Sequence, residues 1–399
     1  MYRNQLKAWV FAAILSAGFS VQSFAQDNLV NALKYNASEK SKELYQFTPV
    51  VDIENTTIKN QGSSGTCWSY SANSFLESEM MRMGKRPVEI SQIFSARNAY
   101  IEKGKMYVKM HGSVTLGDGG AFHDVINMYR KYGAVPQSVY AGLNYGTTKN
   151  KFAEMAAIQE GILKAVVSNP NGKLTPNWEK AYAAAIDAYL GEVPEKFTWE
   201  GKEYTPKSFA SEVIGLNADD YIEIGSDLNY PFYEKFILLV PDNWAFDQVY
   251  NVKMNELTDI VDHAVNNGFT VAWAGDVSEK YFSWKNGVAF VPEKEWEDMD
   301  EEERKTLFDG PKGERKVTPE MRQEAFDNYS TTDDHGMHIV GTAKDQNNKE
   351  YYIIKNSWGI TNDYKGYMYM SKEYVKYKTT DIMIHKDALS KDMKKKLKI

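Results

Sequence analysis

Apolar and polar positions alternate at FTPVVDIENTTI, residues 47–58, which predicts a strand. The period changes after a Gly- and Ser-rich turn at 62–66. In CWSYSANSFLESEMMRM, Trp68, Ser71, Ala72, Phe75, Leu76 and Met80 recur at helical spacing, and Gly84 and Pro87 end the run. A helix is therefore expected to begin at Cys67. Two further helical stretches follow, KFAEMAAIQEGILKAVVS and NWEKAYAAAIDAYLG, and then an aromatic-rich polar segment. ELTDIVDHAVNNG places Leu257, Ile260, Val261, Ala264 and Val265 on one face of a short helix closed by Gly268. TVAWAGDVSEKYFSWKNGVAFV reads as strand, turn and strand. DHGMHIVGTAKDQNNKEYYIIKNSWG reads as two strands joined by a polar turn at Asp345 to Lys349.

The first 27 residues break this pattern. Arg3 and Lys7 precede an apolar run from Ala8 to Val21 and a small-residue ending, Ser23-Phe24-Ala25. That is the pattern of a secretory signal peptide cut after Ala25, and the run is shorter than the roughly 20 residues that span a bilayer. The expected product is exported, periplasmic or secreted, and soluble. Its 399 − 25 = 374 residues suffice for a sizeable core. The whole chain carries 47 basic and 54 acidic residues, a net charge of −7. Removing two positive charges with the signal makes this −9, which argues against nucleic acid and anionic lipid as partners. The basic KDMKKKLKI ending reads as a solvated helix end. The acidic EKEWEDMDEEERK reads as a solvated helix face, since it lacks the Gly-turn pattern of a calcium loop.

One cysteine in 399 residues changes the picture more. Exported chains commonly pair cysteines, and no intramolecular pair exists here. Cys67 is either a buried small hydrophobe or a reactive group. A helix N-terminus favours thiolate over thiol and is expected to lower the pKa below its free value of roughly 8.5. A nucleophile also needs a base. Of His111, His123, His263, His335, His338 and His385, His263 reads as a flanking surface residue of its helix. In the predicted hairpin, His335 at the start of the first strand comes near Asn356 at the end of the second. Alternation puts His335, Met337 and Ile339 on one face and His338 on the other, where it reads as structural or exposed.

These stretches together resemble papain-like cysteine peptidases. QGSSGTCWS resembles their cysteine motif, DHGMHIVG their histidine segment and KNSWG their asparagine motif with its shielding tryptophan. The string VDHAV also looks like a papain-type histidine motif, but it falls within the short helix. Cysteine and histidine lie 335 − 67 = 268 residues apart, beyond the roughly 130 to 150 of papain and cathepsins. With TPEMRQEAFDNYSTTDDH before the histidine, this excess makes the chain resemble the bleomycin hydrolase and aminopeptidase C branch.

The resemblance implies an α+β, papain-like two-lobed fold: a helical lobe and an antiparallel β-barrel-like lobe, with a large, partly helical insertion. The expected segments are a signal peptide at 1–25, a lead-in at 26–58, a helical lobe at 59–146, an insertion at 147–250, a β-rich lobe at 251–384 and a tail at 385–399. It implies Cys67 as nucleophile, His335 as base, Asn356 as orienter, Gln61 as oxyanion donor and Trp358 as cover for the His335–Asn356 bond. It also implies a substrate-binding cleft to which Gly119, Gly120 and Trp358 belong, and an Ile399 carboxylate that holds the substrate's amino group. In papain-like peptidases the position of Ser64 is usually a second cysteine committed to a disulfide. The implied activity is removal of N-terminal residues from peptides, with no metal or cofactor, in an assembly that in this branch is often hexameric. Rival readings are a papain-like endopeptidase, an acyl-transferase on the same triad, and a catalytically inactive binding relative.

Overall fold

The computed structural model describes residues 45–399. The expected signal peptide lies outside them, as does most of the expected lead-in. No helix among the described residues is long and apolar enough to cross a membrane.

Helix α1, Cys67–Arg82, starts at the expected cysteine and is buried from Cys67 to Met80. It is central rather than amphipathic, so its polar residues must find partners inside. Ser71 Oγ donates to Cys67 O at 2.7 Å and Asn73 Nδ2 to Ser69 O at 2.8 Å. Helices α2 (Gln92–Lys109), α3 (Phe122–Tyr132), α4 (Ala153–Val167) and α5 (Asn177–Leu190) gather around it. Phe75, Phe94, Phe122, Phe152, Tyr182 and Ile186 contribute to this first core.

The second core belongs to a large sheet. β1 is Thr48–Asp52, β2 Phe197–Trp199, β3 Lys202–Tyr204, β4 Tyr221–Gly225, β5 Lys235–Ile237 and β6 Gln248–Asn251. β7 is Val271–Gly275, β8 Phe282–Ser283, β9 Val288–Ala289, β10 His335–Lys344, β11 Glu350–Lys355, β12 Tyr367–Ser371 and β13 Thr379–His385. Strands run β5-β6-β4-β13-β7-β10-β11-β12-β9-β8, with β1 also on β10, while β2 and β3 form a separate hairpin. Helix α6, Met254–Asn266, turns Leu257, Ile260, Val261, Ala264 and Val265 into the sheet's core, as its periodicity requires. Two parallel pairs, β4 with β6 and β9 with β12, interrupt the antiparallel order.

The architecture is α+β, but the expected barrel-like closure does not occur among the described residues: β5 and β8 end an open sheet. Part of the reason is length. The stretch read as two strands after Thr270 folds as β7 and two two-residue strands, too short to close a sheet. The segment after α5 also does more than fill space, since its strands β4 to β6 extend the main sheet.

Strand β10 joins the two cores. A Cβ on Gly336 would lie 2.8 Å from Ser71 Oγ and 3.3 Å from the Trp68 Cα, so only glycine lets the strand run this close to α1. That close approach sets His335 beside the N-terminus of the cysteine helix.

Candidate active site

Cys67 opens α1, and His335 opens β10; both line one cleft of about 450 Å³. The β10–β11 hairpin delivers the third residue as expected. His335 Nε2 donates to Asn356 Oδ1 at 2.9 Å, and the Ser357 N–H donates to the same oxygen at 2.7 Å. Two donors on one oxygen fix the amide's orientation. They also fix the histidine tautomer, so Nδ1 is the ring nitrogen able to exchange a proton with the thiol. Trp358 lies against the His335 ring at 4.6 Å between centroids, is itself 1% exposed, and is flanked by Trp284 and Phe282. It shields the His335–Asn356 bond from water, and its expected place in the substrate-binding cleft is corrected: packing against Trp284 and Phe282 buries it behind the histidine.

Gln61 is fully buried and tied at both ends of its amide. Ser357 Oγ donates to Gln61 Oε1 at 2.6 Å, and Gln61 Nε2 donates to Ser64 O at 2.7 Å. The amide nitrogen has a second N–H, which is the group an oxyanion would require. Ser64 Oγ donates to Gln61 O at 2.7 Å and lies 2.6 Å from Thr66 Oγ1. Hydrogen bonds thus close the turn that the resemblance associates with a disulfide.

The thiol departs from expectation. Burial pushes Cys67 up to about 12; the N–H groups of Gly336 and Trp68 oppose this, whereas the charges of Asp242 and Asp334 add to it. Desolvation outweighs the helix terminus. Burial thus works against a thiolate standing alone and favours one formed together with a proton acceptor beside it.

Gly120 lines the cleft, where a Cβ would meet the Trp68 ring at 2.8 Å. Gly119 is covered: the Asp242 carboxylate occupies the place where its Cβ would be. Ile399 does not reach the cleft. The last helix, Lys391–Leu397, buries Met393 and Leu397 in the second core and ties Lys396 to Glu256 of α6 at 3.0 Å. The chain end is held beside α6, and the Ile399 N–H donates to Lys394 O at 3.0 Å. The expected amino-group anchor is thus corrected: apolar burial of the preceding turn fixes the terminus on the sheet lobe.

His263 and His338 are structural. His263 Nδ1 is 2.9 Å from Ala388 O. His338 is buried, bonded to Ser74 Oγ at 3.0 Å, and held well below its ordinary pKa by desolvation and the Lys355 charge. The motifs did not reveal the rest of the cleft wall, which carries Asp242, Asp333, Asp381 and the ion pair His123–Glu223, closed at 2.7 Å. The only sequence signal was the pair of aspartates before His335. Among the described residues no group of three or more His, Cys, Asp or Glu is arranged to hold a metal ion.

Comparison with known proteins adds to this geometry. Residues 16–399 match the family described as "Peptidase C1-like family". The chain is 25% identical over 435 residues to aminopeptidase C of Lactobacillus helveticus, covering 94% of this chain and 90% of that one. It is 23% identical over 419 residues to the mitochondrial cysteine proteinase 1 of Saccharomyces cerevisiae, covering 93% and 82%. The crystal structure of PepW from Lactobacillus rhamnosis superposes with a TM-score of 0.68 at 18% identity over 99% of this chain and 92% of that one, a likeness of fold.

Proposed function

The chain belongs to the peptidase C1-like family, and we propose that it is an exported cysteine aminopeptidase. The observation that carries this reading is the shared cleft of Cys67 and His335, with Asn356 accepting from the far side of the imidazole. As His335 Nδ1 takes the thiol proton, the Cys67 sulfur attacks a peptide carbonyl and a C–S bond forms. The oxyanion rests against the second Gln61 N–H and the Cys67 backbone N–H. His335 returns its proton to the leaving amine as the C–N bond breaks. It then takes a proton from water, which attacks the thioester and releases the sulfur. The charge of the pair is conserved through the first transfer, which suits a site where burial disfavours a lone thiolate.

Support for exopeptidase action comes from the aminopeptidases among the relatives, and support for export from the first 27 residues. The position of Ile399 outside the cleft favours a second reading, an endopeptidase. One peptide offered with a free and with an acetylated N-terminus separates them by product length. Stepwise release from the free end alone is the expected result; internal cuts in the acetylated peptide would overturn it in favour of the endopeptidase.

A further inference from the structure

Beyond the reacting pair the cleft carries three aspartates, Asp242, Asp333 and Asp381, set among apolar residues such as Phe122, Leu238 and Val240. Asp242 is carried in from the segment between β5 and β6, and its N–H donates to Asp333 Oδ2 at 2.9 Å. Its carboxylate lies on Gly119, in space that only a glycine leaves open. Trp244 holds the same segment down by donating Nε1 to Asp124 Oδ2 at 2.8 Å. Asp381, the third residue of β13, lies deeper in the cleft lining and is 5% exposed. Its Oδ1 accepts from Thr380 Oγ1 at 3.2 Å, while its Oδ2 has no hydrogen-bond partner.

Nearby cations are already engaged. His123 is closed on Glu223, and Lys103 donates to the carbonyls of Gly117 and Gly119 while its charge acts on Asp242. Burial raises Asp381 to about 8, and the Glu223 charge adds to this. Burial likewise raises Asp242 to about 6, partly offset by Lys103. Carboxylates in such surroundings gain most from an incoming positive charge that needs little space and brings its own N–H donors.

We propose that Asp242, Asp333 and Asp381 form a receptor for a cationic group of the peptide, an alkylammonium or guanidinium held while its carbonyl lies at Cys67. This rests on the peptidase reading and supplies what Ile399 does not: carboxyl groups inside the cleft that a cation can draw into their ionised form as it arrives. The two sources of that cation are the substrate's α-ammonium and a lysine or arginine side chain.

The test uses the full chain and four fluorogenic peptide amides: free or N-acetylated, each with lysine or the isosteric norleucine beside the terminal residue. Removing the relevant charge is expected to lower kcat/KM about tenfold or more, the scale of one charge-assisted hydrogen bond. Loss on acetylation assigns the α-ammonium, and loss on lysine-to-norleucine exchange assigns the side chain. Asp242→Asn and Asp381→Asn should bring the preferred substrate down towards the neutral one, with thermal unfolding and iodoacetamide alkylation of Cys67 reporting that each variant is folded. Equal rates on all four substrates, or equal losses on charged and neutral ones in folded variants, overturn the receptor. A turnover-free arm separates its failure from that of the peptidase reading: protection of Cys67 from iodoacetamide by the same peptides. Charge-selective protection without hydrolysis upholds the receptor and overturns the peptidase; hydrolysis without charge preference does the reverse.

Discussion

The two walls of the cleft are built on opposite terms. On the reacting wall, Gln61, Cys67, His335, Asn356 and Trp358 are locked by short-range bonds: the Gln61 amide is fixed at both ends, and the Asn356 oxygen accepts twice. The acidic side is tied at its backbone and edges, by the Asp242 N–H on Asp333 and Trp244 on Asp124, but its carboxylates are less fully engaged: Asp242 is seated on a glycine lip and Asp381 keeps an unpartnered oxygen. The first arrangement fixes geometry for bond making. The second leaves carboxyl oxygens without a full set of partners, which is the basis of the proposed receptor. On the proposed reading, positioning atoms and selecting substrates fall to different residues of one cleft.

The sharpest way to break this contrast is to remove the nucleophile. Cys67→Ser is expected to lower peptide hydrolysis by about 10⁴-fold or more with little change in peptide binding, because the hydroxyl is a far weaker nucleophile beside the same imidazole. Single-turnover assays and equilibrium titration with a cationic peptide check it. If rate and affinity fell together, the two walls would not be separable. Next comes Gln61→Glu, which keeps an oxygen to accept from Ser357 Oγ but removes the N–H offered to an oxyanion. A fall of about 10² to 10³ in kcat at nearly constant KM is expected. A change confined to KM would remove Gln61 from the transition-state role.

The reacting wall was largely legible in the sequence because its residues sit in three short stretches, each with one local structural task. Cys67 begins a helix; His335 and Asn356 stand at the two ends of one hairpin. What periodicity cannot convey is environment. It put Cys67 at a helix terminus but not under enough protein to reverse the direction of its pKa. Nor could it show that Met393 and Leu397 would bury the last helix in the sheet lobe and carry Ile399 from the cleft. The facing wall was illegible for a different reason. Asp242, Asp333 and Asp381 come from segments almost 140 residues apart in total, brought together only because β13 pairs with both β4 and β7 in one sheet.

The smallest expected effect concerns the one cation built into that acidic wall. His123 Nδ1 lies 2.7 Å from Glu223 Oε2 and its Nε2 is 4.0 Å from Asp247 Oδ2; Asp124 and Asp381 also act on this group. Burial disfavours the charged ring, but attraction and hydrogen bonding to Glu223, with Asp124 and Asp247 behind, outweigh it and raise the pKa to about 10. The unfolded value is near 6.5, so the folded state holds the extra proton between these limits. Its stabilisation is complete below pH 6.5 and is lost as pH rises towards 10. His123→Gln removes the titration and leaves Glu223 without its cation. The wild type should therefore exceed the variant by about 3 kcal/mol at pH 6 in urea unfolding, and at least half of that difference should vanish by pH 10.5. A pH-independent difference would mean the ring is neutral in the folded protein, so that Glu223 and Asp381 would have no cation on this side of the cleft.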